Sequence, residues 1–229
     1  FPENEFPFAE PVLDERCAPA SLRLPDPRTD GLAPFMMNRL RLCRERIEAE
    51  GHAIRFAVAR GPLNIAGFLM GNTEFLLGLK MQPDEMGALL DVVTTFLVDW
   101  LQAQARAFPS IDGILLLDDV VGFCGEDDFQ TFAKPCLKRA FQAIDASVRM
   151  FHNDAHGMVC APHLSDIGVN LFNFSHEHPL KEMRRLTGDT VTLLGNIPPR
   201  DVLAQGTPDA VRDAVRALVD TLEDRRRVI

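Results

Sequence analysis

The sequence predicts a parallel α/β fold and favours a closed (β/α)8 barrel over an open doubly wound sheet. Predicted strands and helices alternate along the chain at intervals of roughly 20 to 50 residues. The stretch Gly113–Leu117 is an unbroken apolar run, which is typical of a strand covered on both faces. Polar residues follow the end of every predicted strand, and a barrel assembles its functional site from such strand ends.

The first part of the chain leads into the first predicted strand. Residues 1–34 are rich in proline and acidic residues and are predicted to form an irregular surface segment. Apolar residues spaced along one face from Phe35 to Ile47 then predict a helix, which Gly51 ends. Residues 53–59 are predicted to form a short strand.

The middle of the chain carries the strongest patterns. The amphipathic stretch 83–107 predicts a long helix with a proline in its first turn, and the strand 113–117 follows it. The next predicted helix, 126–144, contains Pro135, which should kink or divide it. Residues 148–154 predict the following strand.

The same alternation continues to the end of the sequence, with helices at 161–167, 179–187 and 207–224 and strands at 169–174 and 190–194. In the last helix, one side is expected to be buried, and it carries Val211, Val215, Leu218 and Leu222. Val228 and Ile229 resemble the first residues of a sixth strand. Since five strands and this beginning cannot close an eight-stranded barrel, we expect the chain to lack a leading strand and at least one trailing strand.

Composition narrows the possible functions. The 229 residues suffice for one large barrel domain spanning 1–229, and the net charge of −9 argues against general nucleic-acid binding. No signal peptide or membrane span is predicted, so a cytoplasmic location is expected. The five dispersed cysteines are expected to be reduced, and the absence of tyrosine leaves no phenol for acid–base chemistry.

The segment 148–157 is the leading candidate for the functional site. It ends with His152, Asp154 and His156, and residues two apart in a strand project from the same face. An imidazole beside a carboxylate suits a metal ion, a proton relay or a histidine oriented by the carboxylate. Alternatively, these polar residues only end the strand and cap the next helix.

Other strand ends supply further candidates. Asp118 and Asp119 are adjacent, so only one can face the barrel mouth; Asp119 is slightly favoured, although either can accept hydrogen bonds from loop amides. His176 and His178 can add ligands beside His152 or belong to the start of the next helix. Asn196 is expected to brace its loop through backbone hydrogen bonds.

Three motifs together resemble the superfamily of uroporphyrinogen decarboxylases and corrinoid-dependent methyltransferases. Residues 191–199, V-T-L-L-G-N-I-P-P, with Gly206-Thr207-Pro208, are similar to its G-N-x-x-P signature and the following helix. Residues 60–65, R-G-P-L-N-I, resemble its G-x-P-W-T-L segment, and 151–154, F-H-N-D, occupy the place of H-x-C in the methyltransferases. The resemblance covers most of residues 20–229 and implies a (β/α)8 barrel with its site at the carboxyl ends of the strands.

In the methyltransferase branch, the resemblance implies a zinc ion held by one His and two Cys, which activates a thiol to attack a cobalt-bound methyl group. His152 matches the first ligand. Asp154 stands where the first Cys would be, and the second Cys would lie beyond Ile229. A carboxylate there makes the site harder, which implies a different alkyl acceptor or loss of the metal.

The decarboxylase branch, which needs no cofactor, is the alternative. That branch carries a Tyr where this chain has Phe68, and its paired arginines, catalytic Asp and late His would fall outside residues 1–229. A tetrapyrrole polycarboxylate also requires a basic mouth, whereas Arg60 and Arg200 face many acidic residues here.

The sequence therefore predicts a superfamily enzyme for metal-assisted methyl transfer, with decarboxylation or non-catalytic binding of a corrinoid or tetrapyrrole as alternatives. A small-molecule substrate and a corrinoid, free or on a partner protein, are expected; the oligomeric state is left open. The predicted roles are Asp119, Asp118 and His156 in catalysis, Arg60, Asn64, His176, Asn196 and Arg200 in substrate binding, and His152 and Asp154 as zinc ligands.

Overall fold

A computed structural model describes residues 10–13 and 21–229. Predictions for the other residues, including the thiol of Cys17 and most of the segment 1–20, fall outside the described part. Within it, residues 21–32 contain no α-helix or strand, as predicted, and the backbone amides of Val12 and Leu13 donate to Leu69 O at 2.9 and 2.8 Å.

Five strands form one parallel sheet in the order in which they occur in the chain. They are β1 (Phe56–Arg60), β2 (Gly113–Leu117), β3 (Val148–Asn153), β4 (Leu171–Phe174) and β5 (Thr192–Leu194). Val228 adds a parallel bridge to Leu193, so a sixth strand begins where the sequence predicted it. The order never reverses, which is the arrangement of a barrel wall and differs from a doubly wound sheet. Among the described residues, this wall does not close on itself.

Nine α-helices flank or connect these strands in the described part of the chain. They are α1 (Ala33–Ala49), α2 (Pro62–Met70), α3 (Asn72–Met81), α4 (Pro83–Ala107), α5 (Glu126–Asp128), α6 (Lys134–Phe141), α7 (Leu164–Ile167), α8 (Leu180–Thr187) and α9 (Pro208–Asp220). The sequence predicted α4 and β2 with these bounds. Its apolar pattern predicted neither α2 nor α3.

The helix predicted across 126–144 is divided. A π-helical turn at Phe129–Ala133 separates α5 from α6, and Pro135 lies in the first turn of α6. Proline has no amide hydrogen to donate to the preceding turn, and its ring would press on that turn's carbonyl. The wider turn accommodates the proline, so the predicted division is confirmed.

Helix α4 is the main support of β1. Its buried residues include Leu90, Leu97 and Leu101, and the buried Gln104 side chain bonds both the N–H and the C=O of Val58, at 3.0 and 3.1 Å. By length and composition alone, α4 would also pass as a membrane span, and it is the one such helix among the described residues. Its close contacts with β1, α2, α3 and α6 instead mark a helix packed into a protein core.

Side chains alternate between the two faces of the sheet. Those facing the helices form the core, which includes a stack of Phe151, Phe172 and Phe174 with ring centroids 5.7 to 5.9 Å apart. Those on the opposite face, which would be the barrel interior, include His152 and Asn173 and are only partly buried. Whether a functional candidate faces the core or the barrel interior therefore depends on whether its position in the strand is odd or even.

The prediction for the last helix is partly wrong. Of the four apolar residues expected on its buried side, Leu222 lies just past α9 and is buried, whereas Val215 is 41% exposed. No residue within α9 is buried. The amphipathic pattern is present, but within α9 it leads only to partial burial, as for Leu218, which packs against the core.

Candidate functional site

One row of residues crosses all five strands at their carboxyl ends. Arg60, Leu117, His152, Asn173 and Leu194 are successive partners in the parallel pairing from β1 to β5. Since partners in neighbouring strands project from the same face, this row brings an arginine, a histidine and an asparagine to one rim of the sheet. The row defines the mouth of the site.

His152 is held by a hydrogen bond to the next strand. Its Nδ1 lies 2.5 Å from Asn173 Oδ1, and Asn173 Nδ2 in turn donates to the backbone carbonyl of Leu194 at 2.8 Å. His152 Nδ1 is thereby occupied. Its Nε2 is left for the mouth, where it can act as a ligand or a base.

Asp154 lies next to that free nitrogen. Its Oδ2 is 3.7 Å from His152 Nε2, and its side chain is 63% exposed, against 23% for His152. This separation is too long for a hydrogen bond but suits two ligands of one ion. However, no group of three or more His, Cys, Asp or Glu is close enough to hold a metal ion within 10–13 and 21–229. The described residues thus supply two donors, fewer than the three protein ligands usual at catalytic zinc.

Asp119 also belongs to the mouth. It directly follows β2 and is partly buried, and its Oδ1 accepts the backbone N–H of Asp154 at 2.8 Å. The expected choice between the two adjacent aspartates therefore agrees with the geometry. Asp119 ties the end of β2 to the loop that carries Asp154.

Asp118 points the other way, into the core, which corrects its prediction as a catalytic residue of the mouth. It is fully buried, and its carboxylate accepts the backbone N–H groups of Leu63 and Asn64, at 2.8 and 2.9 Å, in the first turn of α2. Burial raises the pKa of Asp118 to about 7, while the two N–H bonds act in the opposite direction. Asp118 anchors a helix start to the sheet.

Asn64 is likewise part of the fold's internal bonding, so its prediction as a substrate contact is corrected. It is 4% exposed, its Oδ1 accepts the N–H of Val120 at 3.1 Å, and its Nδ2 donates to Leu117 O at 3.4 Å. Both ends of its amide are engaged with the chain segment that follows β2.

A cavity of about 400 Å³ opens beside Asp154 at the ends of β4 and β5. Its wall includes Asp154, Asn173 and His176 as polar groups, and its remaining lining is mostly apolar: Phe174, Leu194, Gly195, Asn196, Ile197, Pro199, Leu203 and Ile229. This volume suits a small organic molecule. Of the predicted substrate contacts, His176 and Asn196 line it.

Asn196 braces the loop, as the sequence predicted. Its buried Nδ2 donates to the carbonyl oxygens of Ser175 and His178, at 2.9 and 2.7 Å. The end of β5 is thereby fastened to the loop after β4. Both donor hydrogens are used internally, which leaves its carbonyl oxygen for other contacts.

The remaining histidines form a separate cluster. His178 is buried and its Nε2 accepts the N–H of Gly157 at 3.2 Å, so it does not join His152 as a ligand. His156 is exposed, with its ring centroid 5.5 Å from that of His178. The structure thus brings His156 to His178 and not to the row at the mouth.

The two predicted anion-binding arginines are in different situations. Arg60 is exposed at the end of β1 and belongs to the row at the mouth. Arg200 is exposed on a π-helical turn and its Nε bonds the neighbouring Asp201 at 2.9 Å. Of these two arginines, Arg60 is the one that belongs to the rim.

Asn173 is the site residue that the sequence analysis missed. It was included in the strand predicted at 169–174 without a role. The signal was its position as a polar residue in the otherwise apolar run Leu171-Phe-Asn-Phe, on the face opposite Phe172 and Phe174.

Comparison with known proteins agrees with this architecture. The sequence pattern of a family described as Uroporphyrinogen decarboxylase (URO-D) matches residues 1–229. The chain belongs to the uroporphyrinogen decarboxylase family. The predicted superfamily is thereby confirmed.

Curated relatives of the family carry two kinds of name. Uroporphyrinogen decarboxylases of Thermus thermophilus and Chlorobium luteolum are 29% and 25% identical over 88% and 83% of this chain. A methylated-thiol–coenzyme M methyltransferase of Methanosarcina mazei is 22% identical over 82% of it. The chain covers 59%, 55% and 50% of the lengths of these three proteins.

Solved structures confirm the barrel class. A methyltransferase from Methanosarcina mazei superposes with a TM-score of 0.74 at 19% identity, over 93% of this chain and 61% of its own. A B12-independent methionine synthase from Shewanella gives a TM-score of 0.57 at 14% identity, over 84% and 57%. At these sequence identities, the two similarities show only the fold of this member of the uroporphyrinogen decarboxylase family.

Proposed function

We propose that this protein is a family enzyme that transfers a methyl group between a corrinoid or methylated substrate and a small acceptor. The observation that supports this most is His152, whose Nδ1 is bound to Asn173 while its Nε2 stays free beside Asp154. A nitrogen and a carboxylate oxygen at 3.7 Å form a pair that suits a shared ion.

In this proposal, His152 and Asp154 are two ligands of a zinc ion. When bound, zinc lowers the pKa of a coordinated thiol or water and so supplies a nucleophile at neutral pH. Because the described residues provide only these two donors, the remaining ligands must come from substrate, water or residues outside the described ranges. Replacement of the expected Cys by Asp154 makes the ion a stronger Lewis acid and favours an acceptor other than the usual thiol.

The other mouth residues bind and orient the substrate. The 400 Å³ cavity next to Asp154 would hold a small acceptor against its apolar wall, with His176 as a polar contact. Asp119 keeps the Asp154 loop in place through the 2.8 Å bond to its backbone. Arg60, exposed on the same rim, would hold an anionic group of the substrate.

Cofactor-independent decarboxylation of a porphyrinogen is the second candidate, because most of the curated relatives above are named for it. The rim is less suited to a polycarboxylate, since it carries the carboxylates of Asp119 and Asp154 as well as Arg60. Non-catalytic binding of a corrinoid or tetrapyrrole would use the same mouth without turnover. For all three, we place the protein in the cytoplasm, with a corrinoid protein as the partner for methyl transfer.

The test compares zinc content and methyl transfer from methylcobalamin to small thiols and amines in the wild type and two variants. His152→Ala should lose the zinc and at least about 100-fold in rate, because a ligand is removed. His52→Ala, an exposed histidine beyond α1, is the matched control and should retain both. A metal-free wild type with full activity would eliminate the metal proposal, and carbon dioxide release from uroporphyrinogen would establish the second candidate.

A further inference from the structure

We propose that Asn173 is a positioning residue that holds His152 as the tautomer with its proton on Nδ1. The Nε2 lone pair is then directed to the mouth. What Nε2 does there rests on the proposed function, whereas the tautomer itself does not. No sequence motif indicated this role.

The direction of the Asn173 amide decides the tautomer. Its Nδ2 is committed as a donor to the Leu194 carbonyl at 2.8 Å, because a backbone carbonyl can only accept. The Oδ1 of the same amide must then face His152 Nδ1, 2.5 Å away. Since Oδ1 is an acceptor only, Nδ1 has to carry the hydrogen.

Asp154 does not enforce the opposite tautomer. His152 Nε2 lies 3.7 Å from Asp154 Oδ2, which is too far for a hydrogen on Nε2 to form a hydrogen bond with this oxygen. The tautomer with its proton on Nε2 would also leave two acceptors, His152 Nδ1 and Asn173 Oδ1, facing each other at 2.5 Å. The neutral imidazole therefore has one well-bonded form.

The strand arrangement makes this bridge rigid. His152, Asn173 and Leu194 are direct partners in the pairing of β3, β4 and β5, so one side chain spans three strands. The amide is thus fixed by secondary structure and not by a mobile loop.

The tautomer can be measured by 15N NMR of the histidine ring nitrogens in metal-free, substrate-free protein above pH 8. The chain has six histidines, so a spectrum of His152→Ala identifies the signals of interest. In the wild type we expect one neutral form, with the proton on Nδ1. In Asn173→Leu, which keeps the shape but not the hydrogen bonds, the signals should move toward a mixture of tautomers.

Two further variants separate positioning from general stability. Asn170→Leu removes similar bonds at the start of β4, to Arg149 N and Ser147 O at 2.8 Å each, and should leave the His152 signals unchanged. Asn173→Asp still accepts from Nδ1 and should restore the wild-type tautomer. A proton on Nε2 in the wild type, or an unchanged spectrum in Asn173→Leu, would overturn the proposal. Because no metal or substrate is present, either result is independent of whether methyl transfer occurs.

Discussion

Asp118 and Asn64 connect the end of β2 to the start of α2 in both directions. Asp118 Oδ1 accepts the Asn64 backbone N–H at 2.9 Å, and Asn64 Oδ1 accepts the N–H of Val120, two residues beyond Asp118, at 3.1 Å. Buried polar groups cost little when paired in this way and much when a partner is removed. These contacts fix the polypeptide immediately behind the mouth.

Replacing Asp118 by Asn should destabilise the protein at pH 5 by about 1–3 kcal/mol. The Asn amide can accept only one of the two N–H groups, of Leu63 and Asn64, that the carboxyl group accepts. Its NH2 group would face the other, leaving a buried donor unpaired. Urea unfolding of wild type and variant at pH 5 measures this difference.

The stability gap between wild type and Asp118→Asn should shrink as the pH rises from 5 to 8. Burial raises the folded-state pKa of Asp118 from 3.8 to about 7, so its contribution is full below pH 4 and is lost as the pH passes 7. From pH 5 to 8 the change is about 2–3 kcal/mol, because about two pH units of the shift lie in this range, so the gap should close near pH 8. Curves of unfolding free energy against pH that run parallel for the two proteins would contradict the buried, protonated carboxyl group.

Replacing Gly61 by Ala should cost about 2–3 kcal/mol. A Cβ at this position would overlap the Asp118 carboxyl group, and neither the strand end nor the helix start can move away easily. Gly87→Ala in α4 is the matched control, because a Cβ there meets nothing within 4 Å. It should gain about 0.5–1 kcal/mol from helix propensity, and thermal unfolding of both variants checks the opposite signs.

Replacing Asn196 by Asp should loosen the loop after β4. The variant loses the donors to Ser175 O and His178 O and sets a carboxylate against two carbonyl oxygens. Backbone amides between 175 and 179 should exchange hydrogen about 10- to 100-fold faster, as followed by mass spectrometry. The exposed Asn38→Asp on α1 should leave this loop unaffected. Unchanged exchange in Asn196→Asp would mean that the brace is not needed.

The sequence was sufficient for the elements with long, consistent patterns. Helix α4 and strand β2 have the predicted bounds, because each has a regular distribution of apolar residues over its full length. Helices α2 and α3 were missed because they are short, interrupted by Gly67, Gly71 and Gly78, and in α2 apolar on nearly every side. Such helices form because the surrounding core covers them, which local periodicity does not express.

Only those features of the candidate site that depend on the alternation of side chains within one strand could be predicted from the sequence. Alternation distinguishes Asp119 from Asp118 and places His152 and Asp154 on one face. It does not indicate which residues of other strands lie opposite, and that register is what pairs His152 with Asn173. Asn64 was taken for a substrate contact because a polar residue after a strand looks the same whether it binds a ligand or its own backbone.

The consecutive strand order also has a consequence for how the chain folds during synthesis. Each of the strands β2 to β5 pairs with the one that precedes it in the sequence, so it meets an edge that is already present when it leaves the ribosome. Strands β2 to β5 therefore need no distant segment to be translated before they pair, which keeps their unpaired edges short-lived and limits aggregation of the nascent polypeptide.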